Sequence, residues 1–335
     1  MDLQQRTRRF CGAILVCAIL FRLLSGGLIG KLVKALSSPE AASFLLYLET
    51  GRVVRPTKIP EPPPATTAPT EPTEPSTAPT EPPPPELPVF APIDAELVDL
   101  YNACGYEPDM EALLQKPLVW DLTDGEPAVL IVHSHSTESY TQTEDYTESS
   151  PYRTLDTDYN VVSIGQKIAR ELEENGIRVI HDTTLHDHPS YSDAYNNSRK
   201  SAQEYLAQYP SVCLVLDIHR DAVEDKTGTQ LGYTVNVNGQ KAAQLMLVCG
   251  TDASGLSHPA WQDNLSLAAK LHAQLEKNNP GICRPISFRS QRFNQDLSPG
   301  ALLIEVGAAG NTRQEALFAA ELLVQAIVDL AHGTK

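Results

Sequence analysis

Short apolar runs that end in polar side chains recur along the C-terminal part of the chain. Three of them cover residues 128–132, 212–218 and 301–304. Each leads into a histidine or a glutamate: His135, His219 and Glu305. Uninterrupted apolar runs of this length are typical of strands buried on both faces of a parallel sheet. The pattern predicts three central strands that bring these side chains to one edge of the sheet, where open α/β sheets keep their sites.

Helical periodicity alternates with these runs. Ile164, Ile168 and Leu172 follow at intervals of four residues, which predicts a helix that begins after Asp158 and stops at Asn175-Gly176. Further helices are predicted near 193–208, 261–277 and 313–331, with strands at 177–180 and 245–249. Apolar positions between 93 and 122 predict helices that lead into this domain. Strand, helix and strand in this order predict an α/β fold, a mostly parallel sheet with helices on both faces.

The chain before residue 93 has a different composition. Phe10–Ile29 is an apolar stretch of about 20 residues, the length that crosses a bilayer, and it follows Arg6, Arg8 and Arg9. We expect a basic tip and transmembrane signal anchor over 1–36 and a juxtamembrane helix over 37–55. A cleaved signal peptide is the alternative, but no Ala-x-Ala cleavage site follows the apolar stretch. A single-pass anchor would place the C-terminal domain outside the cytoplasm, at the cell membrane.

Proline defines the next segment. Of the 26 prolines, 15 lie in residues 56–92, where Ala-Pro-Thr-Glu-Pro occurs at Ala68 and again at Ala78. Such a sequence favours polyproline II and predicts a semi-rigid linker. Residues 93–335 remain as one domain large enough for a full core. The net charge of −16 argues against nucleic acid as a partner, since phosphates would be repelled.

The strand ends carry the chemistry of a mononuclear zinc hydrolase. His135 and Glu138 form a His-x-x-Glu pair that can bind one Zn²⁺ if the backbone turns after the strand, and His219 is the third predicted ligand. Glu305 is the predicted general base for a zinc-activated water. Arg220 is predicted either to stabilise the oxyanion or a substrate carboxylate, or to form a structural ion pair.

Several alternatives stay open at this level. His133 competes with His135, because alternation along a strand points both to the same side. Asn160 lies at a helix start near the sheet edge, but an amide is a poor zinc ligand. A polar run after the second strand is interpreted as a solvated turn and contains His181, Asp182, His186, Asp187 and His188.

These residues resemble the stage II sporulation protein P family, which is related to the zinc-dependent N-acetylmuramoyl-L-alanine amidases. The resemblance covers nearly the whole chain. It rests on four segments with their neighbours: His133–Tyr140, Asp217–Asp221, Arg292–Gln295, and Glu305–Gly307 followed by Asn311-Thr312. The wider amidases take their zinc glutamate from the start of the first crossover helix, where this chain has Asn160. Glu138 is therefore assigned from the His-x-x-Glu spacing.

The resemblance implies an amidase-like fold and a membrane-anchored, zinc-dependent peptidoglycan hydrolase. Such an enzyme cuts stem peptides from glycan strands during engulfment in sporulation, with cleavage of peptide crosslinks left open as a second activity. The implied partners are peptidoglycan, a sporulation lytic transglycosylase and membrane scaffold proteins. Two other functions compete: a non-catalytic wall-binding scaffold, and a zinc carboxypeptidase that acts on peptide ends.

Overall fold

The structure is a computed structural model that describes residues 94–118, 120–123 and 125–332. The predicted anchor, juxtamembrane helix and proline-rich linker lie outside the described residues. Among the described helices, none has both the length and the apolar character needed to span a membrane.

Seven strands form one sheet in the order β1-β8-β7-β9-β4-β2-β3. Their bounds are β1 Leu100–Asn102, β2 Val129–Val132, β3 Val179–His181, β4 Leu214–Asp221, β7 Leu245–Cys249, β8 Ile286–Phe288 and β9 Ala301–Ala308. A separate antiparallel hairpin pairs β5 Thr234–Val237 with β6 Gln240–Ala243. The helices are α1 Met110–Gln115, α2 Val161–Glu174, α3 Ala194–Gln208, α4 Trp261–Asn278 and α5 Arg313–Ala331.

The sheet is parallel at every neighbouring pair except β7 and β9. The predicted α/β fold with a mostly parallel sheet is confirmed. The antiparallel β7–β9 pair was not predicted, and it reverses the chain direction between the two halves of the sheet. Strand β7, Leu245–Cys249, and helix α5, Arg313–Ala331, have the predicted bounds.

Helices cover both faces of the sheet, as predicted. Along β2, Val129 and Ile131 belong to the larger apolar core, which includes residues of α2, α4 and α5. Leu130 and Val132 point the other way, into a smaller core that contains Ala202 of α3. This alternation explains why the run has no polar residue, since each face meets an apolar layer.

Local signals fix the ends of the helices. The Asn160 side chain accepts a hydrogen bond from Val162 N and caps α2, which stops before Gly176 at φ +81°. Helix α5 begins with a capping box between Thr312 and Glu315. These caps aim α2 and α5 away from the edge of the sheet where the polar strand ends collect.

Two predictions about secondary structure are wrong. The segment between 93 and 122 was expected to be helical, but Leu100–Asn102 forms the edge strand β1, and of the residues described there only Met110–Gln115 is an α-helix. The run after β3 is not a solvated turn, because Asp182, His186 and Asp187 are buried. Both buried carboxylates have hydrogen-bond partners: Asp182 accepts from Thr184 N and lies 3.0 Å from Nε2 of His186, and Asp187 accepts from Ser136 and Thr137.

Candidate active site

Four of the predicted site residues line one cavity of about 290 Å³ beside the strand ends: His135, Glu138, His219 and Glu305. Arg220 also lines it. The sheet register explains the convergence, because β4 and β9 are parallel neighbours that place His219 directly beside Glu305. β2 is the neighbour of β4 on its other side, so the residues after Val132 reach the same edge.

A tight turn after β2 brings Glu138 back toward the strand. The amide of Glu138 donates to the carbonyl of His135 at 3.0 Å. Asp187 holds the turn from outside, since its carboxylate accepts bonds from Ser136 Oγ, from the backbone N and Oγ1 of Thr137, and from Arg153. The curl that the His-x-x-Glu assignment required is therefore present. Asp187 was missed because nothing in its local sequence shows that its partners lie about fifty residues earlier.

Glu138 is a buried carboxylate surrounded by cationic groups. Its Oε2 accepts from the backbone N of Arg220 at 3.2 Å, and its Oε1 lies 3.5 Å from the guanidinium groups of both Arg220 and Arg153. Burial alone would raise the pKa of Glu138, but Arg220 and His219 outweigh it and lower this pKa to about 2. Glu138 is therefore ionised at neutral pH.

His219 lies between two carboxylates. Its Nδ1 is 3.4 Å from Glu138 Oε2, and its Nε2 is 2.9 Å from Asp217 Oδ1. Burial disfavours the imidazolium, but Asp217 and Glu138 outweigh burial and raise the pKa of His219 well above its usual value. Although Asp217 is close, Nε2 has no well-aligned hydrogen-bond partner among the described residues. Asp217 is itself fixed by the backbone N and the hydroxyl of Ser134.

Glu305 is the most weakly partnered carboxylate of the cavity. Its Oε2 is buried and has no hydrogen-bond partner in the described part of the chain. Burial raises the pKa of Glu305 to about 8, against the opposing effect of His219. A carboxylate that lacks stabilising partners and faces a cavity has the character of a proton acceptor and donor.

Arg220 is tied into the fold by its side chain. Its Nε donates to the carbonyl of Ser139 and its Nη2 donates to the carbonyl of Tyr152, both at 2.8 Å. These bonds connect β4 to the loop after the His135 turn. Asn160 is likewise occupied, since it caps α2 and donates to the carbonyl of Thr154 at 3.1 Å.

His133 faces away from the cavity residues and pairs with His181. Its Nδ1 donates to the carbonyl of Ile218 at 3.0 Å, so its Nε2 accepts a hydrogen bond from Nε2 of His181 at 2.9 Å. Burial lowers the pKa of His133 to about 3 and that of His181 to about 4. Both rings are therefore neutral. Gly165 of α2 lies directly against them.

Aromatic side chains that the sequence analysis did not single out surround His135. Tyr191 stacks on its ring with 4.5 Å between the centroids, and Tyr195 of α3 meets it edge to face at 5.3 Å. Tyr195 and Phe293 also line the cavity. Tyr191 lies in a 3-10 turn shortly after the cis peptide bond between His188 and Pro189, and Tyr195 lies in the first turn of α3.

The Arg292–Gln295 segment forms a wall of the cavity. Phe293 and Asn294 both have positive φ, +48° and +59°, a conformation that non-glycine residues rarely adopt. Asn294 Nδ2 donates to the carbonyl of Tyr195, and Gln295 bonds the backbone of Val248 and Gly250 at the end of β7. These bonds hold the strained turn and place the Phe293 ring in the cavity.

The side-chain atoms that line the cavity are of the types that bind zinc. His135 Nδ1, His219 Nε2 and Glu305 Oε2 are buried without hydrogen-bond partners. The 3.4 Å between His219 Nδ1 and Glu138 Oε2 matches the separation of about 3.4 Å between two ligands of one tetrahedral zinc. Across the described residues, however, no three His, Cys, Asp or Glu side chains are arranged so that they could hold a metal ion as they stand.

Comparison with known sequences identifies close resemblances. Residues 66–328 match the family model described as Stage II sporulation protein P (SpoIIP). The Stage II sporulation protein P of Bacillus subtilis (strain 168) is 27% identical over 204 residues, which cover 58% of this chain and 48% of that protein. The matched part thus spans about half the length of this relative.

Comparison with solved structures finds N-acetylmuramoyl-L-alanine amidases. One from Nostoc punctiforme covers 63% of this chain and 99% of its own, with a TM-score of 0.38 and 14% identity. Another, from Clostridium difficile 630, covers 63% of this chain and 100% of its own, with a TM-score of 0.38 and 15% identity. With TM-scores this low, nothing about the chemistry of the site follows from these two structures.

Proposed function

Because the chain belongs to the stage II sporulation protein P family, we propose that it is a membrane-anchored, zinc-dependent peptidoglycan hydrolase. Its proposed reaction is cleavage of the N-acetylmuramoyl-L-alanine amide bond during engulfment in sporulation. The observation that carries the proposal is the single cavity that His135, Glu138, His219 and Glu305 line together.

His135, Glu138 and His219 would hold the metal. The unpaired Nδ1 of His135 and the ionised state of Glu138 support this assignment. Asp217 beside Nε2 of His219 is the kind of carboxylate that orients a metal-binding histidine. When bound, zinc supplies a Lewis acid for the amide carbonyl and lowers the pKa of water.

Glu305 is the proposed proton carrier. Its unpaired Oε2 would accept a proton from the attacking water and return it to the nitrogen of the leaving L-alanine. Its place beside His219 on the neighbouring strand keeps this oxygen at the reacting side of the cavity. Tyr195 and Phe293 also line the cavity and would limit the access of bulk water.

We assign Arg220 a positioning role in this reaction. Its Nε and Nη2 already donate to backbone carbonyls, and its Nη1 lies 3.5 Å from Glu138. It would hold Glu138 ionised and fix the loop after the His135 turn. The geometry thus favours the structural alternative for Arg220 over direct contact with an oxyanion.

The rest of the proposal concerns location and partners. A single-pass anchor at the cell membrane and a linker of 37 residues, which could extend roughly 110 Å as polyproline II, would let the domain reach the wall outside the cytoplasm. By resemblance, a sporulation lytic transglycosylase and membrane scaffold proteins are its proposed partners. Cleavage of crosslinks would be a second activity of the same cavity.

Zinc content and product analysis test the function together. The full-length chain in detergent is assayed for bound metal and incubated with purified peptidoglycan, and the released fragments are identified by mass spectrometry. We expect stoichiometric zinc and intact stem peptides that begin with L-alanine. Glu305→Gln should retain zinc and release no peptides, whereas the exposed Glu174→Gln should behave like the wild type.

Other products would identify the competing functions. Single amino acids released from peptide ends would indicate a carboxypeptidase. Binding to peptidoglycan with no products, unchanged in Glu305→Gln, would indicate a scaffold. Full activity in zinc-free protein would overturn the metal assignment, and full activity of Glu305→Gln would overturn the role of this carboxylate.

A further inference from the structure

Of the two arginines that line the cavity, the proposed chemistry leaves one unused, Arg289. Arg289 follows β8 and lines the same cavity as Glu305. Arg220, the other arginine of the lining, is buried and bonded to Glu138, whereas Arg289 is exposed and has no carboxylate within ion-pair distance among the described residues.

Arg289 is held in place although its charge is unpaired. Its backbone N donates to the carbonyl of Cys249, and its own carbonyl accepts from Thr251 Oγ1 at 3.0 Å. Its side-chain Nε donates to Ser287 Oγ at 2.6 Å, and Ser287 is almost fully buried. The Cζ atom of Arg289 lies 5.9 Å from the centre of the Tyr101 ring of β1, and no described residue accepts a hydrogen bond from its two terminal nitrogens. A guanidinium that is fixed through Nε and keeps both terminal nitrogens free of hydrogen bonds is suited to bind a carboxylate through two parallel hydrogen bonds.

The segment after β8 is also rigid. A Cβ atom on Gly250 would collide with the backbone of Gln291 and Arg292, so the chain passes directly against the end of β7. Between Arg289 and Glu305 the floor is apolar, formed by Met246, Val248 and Leu303. The cavity therefore extends from the candidate reaction centre along this apolar surface to Arg289.

The sheet register gives the length of this path. Ser287 of β8 is aligned with Val248 of β7, which is aligned with Leu303 of β9. Two strand spacings make about 10 Å, and Glu305 lies two residues, or about 7 Å, farther along β9. Ser287, which holds the guanidinium, is thus about 12 Å from Glu305. An extended peptide covers this distance in three to four residues.

We propose that Arg289 binds the side-chain carboxylate of the third residue of the stem peptide, with Ser287 as its positioning residue. This inference rests on the proposed function, which places the amide bond of the first residue at Glu305. Stem peptides whose third residue is diaminopimelate carry a carboxylate there. A third residue without a side-chain carboxylate would leave the guanidinium without a partner, so Arg289 selects among peptidoglycan types.

The test compares N-acetylmuramoyl-tetrapeptides whose third residue is diaminopimelate with a free or an amidated side-chain carboxylate. With the full-length chain, we expect Arg289→Gln to raise KM for the free form by about 10-fold or more, with kcat within about twofold, because a charge-assisted bond is lost. The amidated form should not distinguish Arg289→Gln from the wild type. Ser287→Ala should raise KM for the free form by a smaller factor.

The matched control is Arg178→Gln, an exposed arginine whose guanidinium bonds the carbonyl of Gly125. It makes the same change of charge and should leave KM unchanged for both substrates. An equal KM for the free and amidated forms in the wild type would overturn the proposal. The proposal would also be overturned if amidation of the second residue of the stem peptide abolished the effect of Arg289→Gln on KM. Arg289 would then bind the carboxylate of the second residue and not that of the third.

A binding measurement separates this proposal from the proposed reaction. Titration calorimetry with Glu305→Gln reports affinity for the same tetrapeptides without turnover. If the wild type cleaves neither substrate but the free form binds more tightly and only when Arg289 is present, the reaction is wrong and the carboxylate site stands. If the wild type cleaves both forms equally and Arg289→Gln changes nothing, the reaction stands and the site is refuted.

Discussion

The substitution Gly165→Ala should destabilise the domain, although the same change in most helices is stabilising. In an exposed helix interior, alanine is favoured over glycine by about 1 kcal/mol. Gly165, however, is buried in α2 against the pair of histidines behind the candidate site. An ideal Cβ atom there would lie 2.5 Å from Nε2 of His133 and 2.7 Å from Nε2 of His181.

The magnitude follows from what would have to move. Relief of the collision requires a shift of about 1 Å in either α2 or the rings, and such overpacking costs about 1–3 kcal/mol. His133 cannot move alone, because it is bonded to the carbonyl of Ile218 and to His181. Loss of the bond between the rings adds about 1 kcal/mol. After subtraction of the helix-propensity gain, we expect a net loss of about 1–3 kcal/mol.

Thermal unfolding followed by circular dichroism measures this loss. For a domain of this size, 1 kcal/mol corresponds to about 2–4 °C in Tm, so Gly165→Ala should lower Tm by about 2–12 °C. Gln166→Ala, at the exposed neighbouring position of the same helix, is the control and should change Tm little. A double-mutant cycle with His181→Ala should show a coupling above about 0.5 kcal/mol. A Tm for Gly165→Ala at or above that of the wild type would refute the packing argument.

Three further changes test other parts of the fold. Gly300→Ala should cost at least about 2 kcal/mol in urea unfolding, because its Cβ would collide with the carbonyl of Cys213; a smaller loss would show that the turn before β9 can move. Thr312→Ala removes the cap from Glu315 N and should cost about 1 kcal/mol in the same assay, whereas Thr312→Ser should cost little. Burial and Lys116 lower the pKa of Lys270 to about 8. Above pH 8 the unfolded chain therefore binds more protons than the folded chain, and the destabilisation that the buried Lys270 charge causes fades as pH rises to 10. The Tm of the wild type relative to that of Lys270→Met should therefore rise between pH 7 and pH 10, and a constant difference would contradict the lowered pKa of Lys270.

The central part of the sheet could be predicted because its signals are local. The strands β2, β4 and β9 are apolar runs that end in the side chains of the site, and parallel packing alone brings those ends to one edge. The turn that returns Glu138 to His135 was inferred from spacing. Strand alternation did not distinguish His133 from His135 as the candidate ligand. Only the tertiary packing of α2 and β3, which pairs His133 with His181, distinguishes them.

The outer part of the sheet could not be predicted in the same way. Strands β1 and β8 have three residues each, too few for a pattern to emerge, and they depend on pairing with each other and with β7. The hairpin β5–β6 did carry a usable signal, the Asn238-Gly239 pair with positive φ at both residues. Asp187 gave no signal, because its burial depends on donors that are distant in sequence.

The central and outer parts of the sheet contribute different residues to the cavity, and these residues have different roles. The residues around His219 are connected by a dense set of charge-assisted bonds, so a change at one of them disturbs its neighbours as well. Arg289 and Phe293 line the same cavity but, among the described residues, have no hydrogen bond or ion pair to this cluster. Under the proposed function, substitutions in residues 287–293 should therefore alter which stem peptide is bound while the proposed proton-transfer groups keep their positions. On this argument, relatives that act on different peptidoglycans should differ at the wall formed after β8 and retain the cluster at the ends of β2, β4 and β9.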